Sequence, residues 1–215
     1  MAAEVAMAPP SAMRIEGDEV IGTSRSMASS IKVRVPLSAA SSRLGGLGAE
    51  LSTALVGRAL EVFVDVERAC SRFDPASPLS IANADPHSWH QGSAILLDAL
   101  SAARTAHRLT DHRFDPRVLD AMIALGYTNA IRFEEGKSVT VAETMPAPVP
   151  PSGRWRPRVL PRLGRFHLGG ERVDLGGIGK GLAVRWSADR LRRHCQDFLI
   201  EAGGDCYCSG SSADG

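Results

Sequence analysis

The stretch that decides the fold is Val173-Asp174-Leu175-Gly176-Gly177-Ile178-Gly179-Lys180-Gly181. Arg172 to Leu175 reads as a strand, glycines follow, and a Lys then opens a helix expected over Ile178 to His194. Leu182, Trp186, Ala188 and Leu191 form the expected buried side of that helix. Glycines let a ligand approach the backbone. A helix start offers free N–H groups and a partial positive charge, to which Lys180 adds a full one. By spacing alone this is anion-binding chemistry, and the plainer alternative is a tight strand–helix turn with a solvated Lys. The stretch is not a Walker A loop, because Asp174 stands at the place of the first Gly and Gly181 at that of the Ser or Thr. It is not a Rossmann fingerprint either, because Gly177-x-Gly179 has no third Gly three residues on.

The pattern continues on both sides. His167-Leu168 reads as strand, Phe198 to Ala202 is an apolar strand, Gly203-Gly204-Asp205 turns the chain, and Cys206 to Ser209 begins another strand. Strand, helix, strand, turn, strand predicts an α+β fold, a mixed sheet with packed helices. Upstream, Ile31 to Val35 alternates apolar and cationic residues as a half-buried strand does. Ser38 to Gly48 reads as a loop. Apolar residues recur at helical spacing from Glu50 to about Ala69 and from Ser93 to about Leu109. Cys70 to Gly92, with Asp74-Pro75, Pro78 and Asp85-Pro86, reads as irregular. Asp115-Pro116 reads as a capped helix start and Gly126 as its stop. Ile131–Phe133 and Val139–Ala142 are expected to form a hairpin. Residues 143–165, rich in Pro and Arg, read as a loop or insertion. Arg154, Arg156, Arg158, Arg162 and Arg165 make it either a solvated surface or, less simply, an anion-binding arm.

The whole chain sets bounds on this reading. Its 215 residues carry 25 Lys plus Arg against 24 Asp plus Glu, and 44% are hydrophobic. That length buries a real core, and a net charge of +1 excludes a globally basic nucleic-acid binder. No apolar run reaches the ~18 residues a membrane helix needs. Residues 1–19 read as a disordered leader without the basic and apolar regions of a signal peptide, so a cytoplasmic location with no membrane anchor is expected. Cys70, Cys195, Cys206 and Cys208 are too few for a disulfide scaffold, and Cys206-x-Cys208 is too short for a zinc knuckle. Only three cations are Lys, which singles out Lys180.

Three further constellations stand out. Thr110-Asp111-His112-Arg113-Phe114-Asp115-Pro116 puts two acids and a His within five residues, suited to acid–base work, though Asp115 also fits a plain N-cap. Ser71-Arg72-Phe73-Asp74-Pro75-Ala76-Ser77 is a polar loop with one aromatic. Glu201-Ala202-Gly203-Gly204-Asp205 sets backbone amides beside a carboxylate. Together and in this order, the motifs resemble those of the ApbE family, the FAD:protein FMN transferases. Ile21-Gly22-Thr23 matches the family's Met-Gly-Thr, and Ser71 to Ser77 its Ser-x-aromatic-x-x-x-Ser. Thr110 to Pro116 matches Thr-Asp-Gly-x-Phe-Asp-Pro, Asp174 to Gly181 the Gly-Lys turn, and Gly203 to Asp205 the Gly-Gly-Asp strand end.

The resemblance implies a T-fold-like domain over residues 20–215 that transfers FMN from FAD to a Ser or Thr hydroxyl of an acceptor flavoprotein, with Mg²⁺, releasing AMP. A non-catalytic FAD-binding module or an FAD hydrolase is the alternative. It implies that Ile21 lies by the flavin and Phe73 stacks on or borders its ring. It implies that Arg113, Phe114 and Asp115 border the ligand, that Asp174 and Lys180 contact FAD, and that Gly177 offers a carbonyl to Mg²⁺. Three departures stand against the pattern. Ile21 replaces Met, His112 replaces Gly, and the sequence stops at Gly215 before the family's last segments. From that stop, a domain incomplete at its C-terminus is expected, with the base and most Mg²⁺ ligands in the missing part and this chain by itself inactive or very weak.

Overall fold

A computed structural model describes residues 12–37, 48–127 and 153–210. The chain divides into two compact units, Met1–Asp65 with Lys180–Gly215, and Val66–Gly179. Two helices, α1 (Ala49–Cys70) and α5 (Gly176–Leu191), each contribute residues to both.

The first unit is an antiparallel five-stranded sheet of β1 (Ala12–Glu16), β2 (Glu19–Ser26), β3 (Ser29–Pro36), β7 (Phe198–Ala202) and β8 (Asp205–Ser209), in order β1-β2-β3-β7-β8. Alternation decides which face is buried: Ile31, Val33 and Val35 point one way on β3, and Phe198, Ile200 and Ala202 do so on β7. Register joins them into rows, with Val33 between Gly22 and Ile200. Leu55, Val56, Ala59, Leu60, Val62 and Phe63 of α1 are buried with them, each larger side chain contributing about 1.5–3 kcal/mol. Gly22 is required here, because any Cβ at this position would collide with Val56 and Leu60. Ser26 Oγ ties the sheet to α1 by donating to the Phe63 carbonyl at 3.2 Å, and Ser187 Oγ ties α5 to α1 by donating to that of Ala59 at 3.0 Å. The expected leader is corrected from residue 12 onward: Ala12–Glu16 pairs with β2, Arg14 opposite Ile21.

The second unit holds α2 (Pro78–Ala84), α3 (Ala94–Leu109), a 3-10 turn at Pro116–Val118 running into α4 (Leu119–Ala124), and a sheet of order β4-β6-β5. Its strands are β4 (His90–Gln91), β5 (Arg158–Leu160) and β6 (Arg165–His167). α2 corrects the irregular reading of Cys70 to Gly92. Ser77 caps it by accepting from Ser80 N–H at 3.0 Å, and Pro78 sits at the first helical position, where no donor is lost. The loop expected over 143–165 is corrected over its described part. Trp155 is buried with its indole N–H on the Leu168 carbonyl at 2.8 Å, and Arg158–Leu160 pairs with Arg165–His167. The prolines flank these pieces rather than interrupt them, Pro161 opening a 3-10 turn that Gly164 closes at φ 61. Residues 143–152 and the expected hairpin at 131–142 lie outside the described residues. Arg172 to Leu175, expected as a strand, pairs with neither sheet.

Candidate functional site

In the second unit, backbone self-capping shapes Ser71 to Ser77. Ser71 Oγ accepts from Phe73 and Asp74 N–H, both at 3.2 Å, and the Ser77 and Ser80 hydroxyls donate to the Ser71 carbonyl. The loop fixes Arg72, whose side chain is 9% exposed. Its Nε meets Asp174 Oδ2 at 2.5 Å, its Nη1 donates to the Tyr127 carbonyl at 2.7 Å, and its guanidinium lies 4.1 Å from the Phe73 ring centroid. Phe73 itself is exposed, one face covered by that guanidinium.

Asp174 is buried and saturated. Besides Arg72, its Oδ1 accepts from Gly176 N–H at 2.5 Å, which bends the chain into α5. The preceding residue is clamped as well: Asn83 donates to the Val173 carbonyl and accepts from its N–H, both at 2.8 Å. A side chain thus does for Val173 what a neighbouring strand would.

Asp115 caps the 3-10 turn by accepting from Arg117 N–H at 2.9 Å, and its carboxylate takes the Arg117 guanidinium at 2.8 to 3.2 Å. Arg117 also reaches Glu171 at 3.1 Å and the Gly153 carbonyl at 2.6 Å. Burial alone would push the Asp115 carboxyl up, but the hydrogen bonds and charge of Arg117 outweigh it and hold it below the ordinary 3.8. The bond to Asp115 in turn raises Arg117, against its burial.

His107 supports the same segment. Its Nε2 accepts from Trp155 N–H at 3.2 Å, so the ring proton sits on Nδ1, 2.9 Å from the Phe114 carbonyl. The His112 ring stacks on it at 4.4 Å and 13°. Asp111 and His112 have φ of 50° and 66°, the left-handed region in which the resembling motif carries Gly at position 112. Asp174 N–H bonds the Pro116 carbonyl at 2.7 Å, and a Cβ on Gly177 would sit 3.4 Å from Phe114 Cε2. The second unit therefore brings Phe73, Phe114, Asp115, Asp174 and Gly177 into one neighbourhood, with Arg113 exposed beside them.

Ile21 and Lys180 belong to the first unit. Ile21 is 1% exposed in β2. Lys180 stands at the Gly203-Gly204 turn between β7 and β8, whose φ values are 53° and 100°. Its Nζ lies 3.2 Å from the Gly203 carbonyl and 3.9 Å from Asp205 Oδ2, and a Cβ on Gly203 would strike Ser29 Oγ. The glycine turn thus leaves room for a half-buried ammonium at the sheet end.

Arg72, Asn83, His107, Arg117 and Glu171 position these groups, and none stands out in the sequence. The one available hint is an Arg two residues after Asp115. For Mg²⁺ the fit is poor: among the described residues no three His, Cys, Asp or Glu side chains come together, and Asp115 and Asp174 are taken by arginines. Gly177 alone does not make a site. Burial pushes the thiol of the half-buried Cys70 up to about 12, and burial with the Asp197 charge pushes that of the buried Cys195 up to about 11.

The architecture matches solved flavin transferases. The apo flavinyl transferase ApbE of Pseudomonas stutzeri superposes with a TM-score of 0.64 at 18% identity, over 94% of this chain and 65% of that one. The ApbE protein of Thermotoga maritima gives 0.65 at 19%, over 90% and 60%, and the flavin transferase ApbE of Vibrio cholerae 0.61 at 17%, over 96% and 62%. The chain therefore spans between 60% and 65% of the length of these structures. No curated protein matches it. Residues 27–215 match the model of the ApbE family, and the chain belongs to that family. Among the described residues no helix is long and apolar enough to cross a membrane.

Proposed function

We propose that this protein transfers FMN from FAD to a Ser or Thr hydroxyl of an acceptor protein. The family match over residues 27–215 carries this reading. In the step, the hydroxyl oxygen bonds to the FMN phosphorus, the bridging P–O bond to the AMP half breaks, AMP leaves with the electron pair, and the hydroxyl proton passes to a base. Residues 20–215 act as one transferase domain in this reading.

The chain's own residues suit the holding part of that chemistry. Lys180 exchanges two long contacts for a phosphate oxygen. Phe73 offers its uncovered face to a flat ring, with Phe114 and Arg113 bordering the ligand; Ile21, 1% exposed in β2, supports the sheet rather than the ligand. Asp115 and Asp174 act through the backbone they fix.

The test incubates the full chain with FAD and a candidate acceptor, with and without Mg²⁺, and reads covalent flavin by in-gel fluorescence. Labelled acceptor supports the transferase reading. Quenched FAD fluorescence without product marks a binding module, free FMN with AMP marks a hydrolase, and neither binding nor product sinks the reading.

A further inference from the structure

The β5–β6 hairpin carries charge that the rest of the second unit does not answer. Arg154, Arg156, Arg158, Arg162 and Arg165 are all exposed. The ion-paired arginines of that unit are Arg72, Arg117 and Arg172, and none of the five has an acidic partner among the described residues. Register sorts them. Arg158 lies opposite His167 and Leu160 opposite Arg165, on the face away from the buried Phe166. Arg165 also pairs with Gln91 of β4, and its guanidinium stands 5.5 Å from the Trp89 ring, which His167 meets edge-on at 5.7 Å.

Apolar surface sits among these charges. Leu163 is 64% exposed, Leu160 40% and Trp89 36%. A merely solvated Arg face needs no exposed leucines. Trp and Arg around a small apolar centre make up the side chains that dominate protein–protein binding energy. The same chemistry sorts the classes of partner. Nucleic acid wants several aromatic faces free for stacking, whereas this patch offers one indole, Trp89, with Arg165 standing 5.5 Å from its centroid. Inserting Leu160 into a bilayer would drag in Arg158 two residues away and Arg165 across the ladder. A protein surface that sets carboxylates around apolar side chains satisfies both parts.

We propose that the β5–β6 hairpin, with Arg158, Leu160 and Arg165 on its strands, Arg162 and Leu163 in its turn and Trp89 beside Arg165, is a docking surface for a protein partner with Asp and Glu arranged around an apolar patch. The probes are a fluorescein-labelled soluble peptide alternating Glu-Asp pairs with Leu, a labelled DNA duplex, and phosphatidylserine–phosphatidylcholine vesicles, each titrated with the full chain at two salt concentrations. The peptide is expected to bind, more weakly at high salt. Arg158→Glu with Arg162→Glu and Arg165→Glu should weaken it about tenfold or more, as reversing several interfacial charges does. Leu160→Ser with Leu163→Ser should weaken it about fivefold with the salt dependence kept. Circular dichroism checks the fold, and the corresponding Arg→Gln set replaces the reversed one if that variant unfolds. No peptide binding, equal binding by the charge variants, or tighter binding of duplex or vesicles at the same salt overturns the proposal.

Discussion

The glycine turn of the first unit and the carboxylates of the second hold their charges in opposite ways. Lys180, its side chain 31% exposed, rests on contacts of 3.2 and 3.9 Å. The Arg72–Asp174 pair closes to 2.5 Å with side chains 9% and 6% exposed, and Arg117–Asp115 to 2.8 Å with 3% and 13%. Loose, wet contacts cost little to exchange for a ligand, whereas dry, saturated pairs cannot be broken without leaving a buried charge. The lysine is therefore free for recognition, and the aspartates are committed to the backbone each one fixes, Asp174 at the start of α5 and Asp115 at the Pro116–Val118 turn. A motif aligned residue by residue hides that division.

Arg117→Met breaks the tight side most severely, because Asp115 and Glu171 both lose their partner. A loss of about 3–5 kcal/mol in urea unfolding is expected. The same variant tests pH. A carboxyl held below 3.8 in the folded chain contributes stability that is complete above that value and is lost as pH falls through the lower folded one. The parent should lose stability below about pH 4, and the variant's acid slope should be shallower. An unchanged slope would show that Arg117 does not hold Asp115.

Arg72→Met leaves one carboxylate, Asp174, with Gly176 N–H still bound, so a somewhat smaller loss of about 3 kcal/mol is expected in the same measurement. Asn83→Ala removes both bonds to Val173 and should cost about 1–3 kcal/mol. Stability within error of the parent would mean that the Val173 backbone finds other partners. Lys180→Met sits at the other end: about 0.5 kcal/mol or less in stability, but about tenfold or more in FAD affinity by fluorescence titration. A large stability loss with FAD affinity unchanged would erase the contrast.

Much of the fold was legible because apolar periodicity is local. The helices around Val62 and Leu100 and the strands through Val33 and Ile200 each show their period within one element. α2 was not, because Ser77-Pro78 is as good a turn as a helix start until the Ser77–Ser80 bond is seen. β1 alternates only over Met13-Arg14-Ile15-Glu16, a run too short to stand out beside an Ala/Pro-rich start, and its pairing with β2 supplies the order. The prolines around Arg158 obscured a strand whose register comes from Phe166. The motif residues of the site were visible, but their partners were not. Asn83 reaches Val173 across 90 positions and Arg117 reaches Glu171 across 54, distances at which single residues leave no pattern.

The stacked imidazoles carry an evolutionary consequence. His112 occupies a backbone conformation that costs a side chain about 1–3 kcal/mol, and the His107 ring beneath it offsets part of that. The two positions are therefore epistatic. Losing the ring at 107 turns 112 from a tolerated histidine into a liability, and a glycine at 112 makes 107 less exacting.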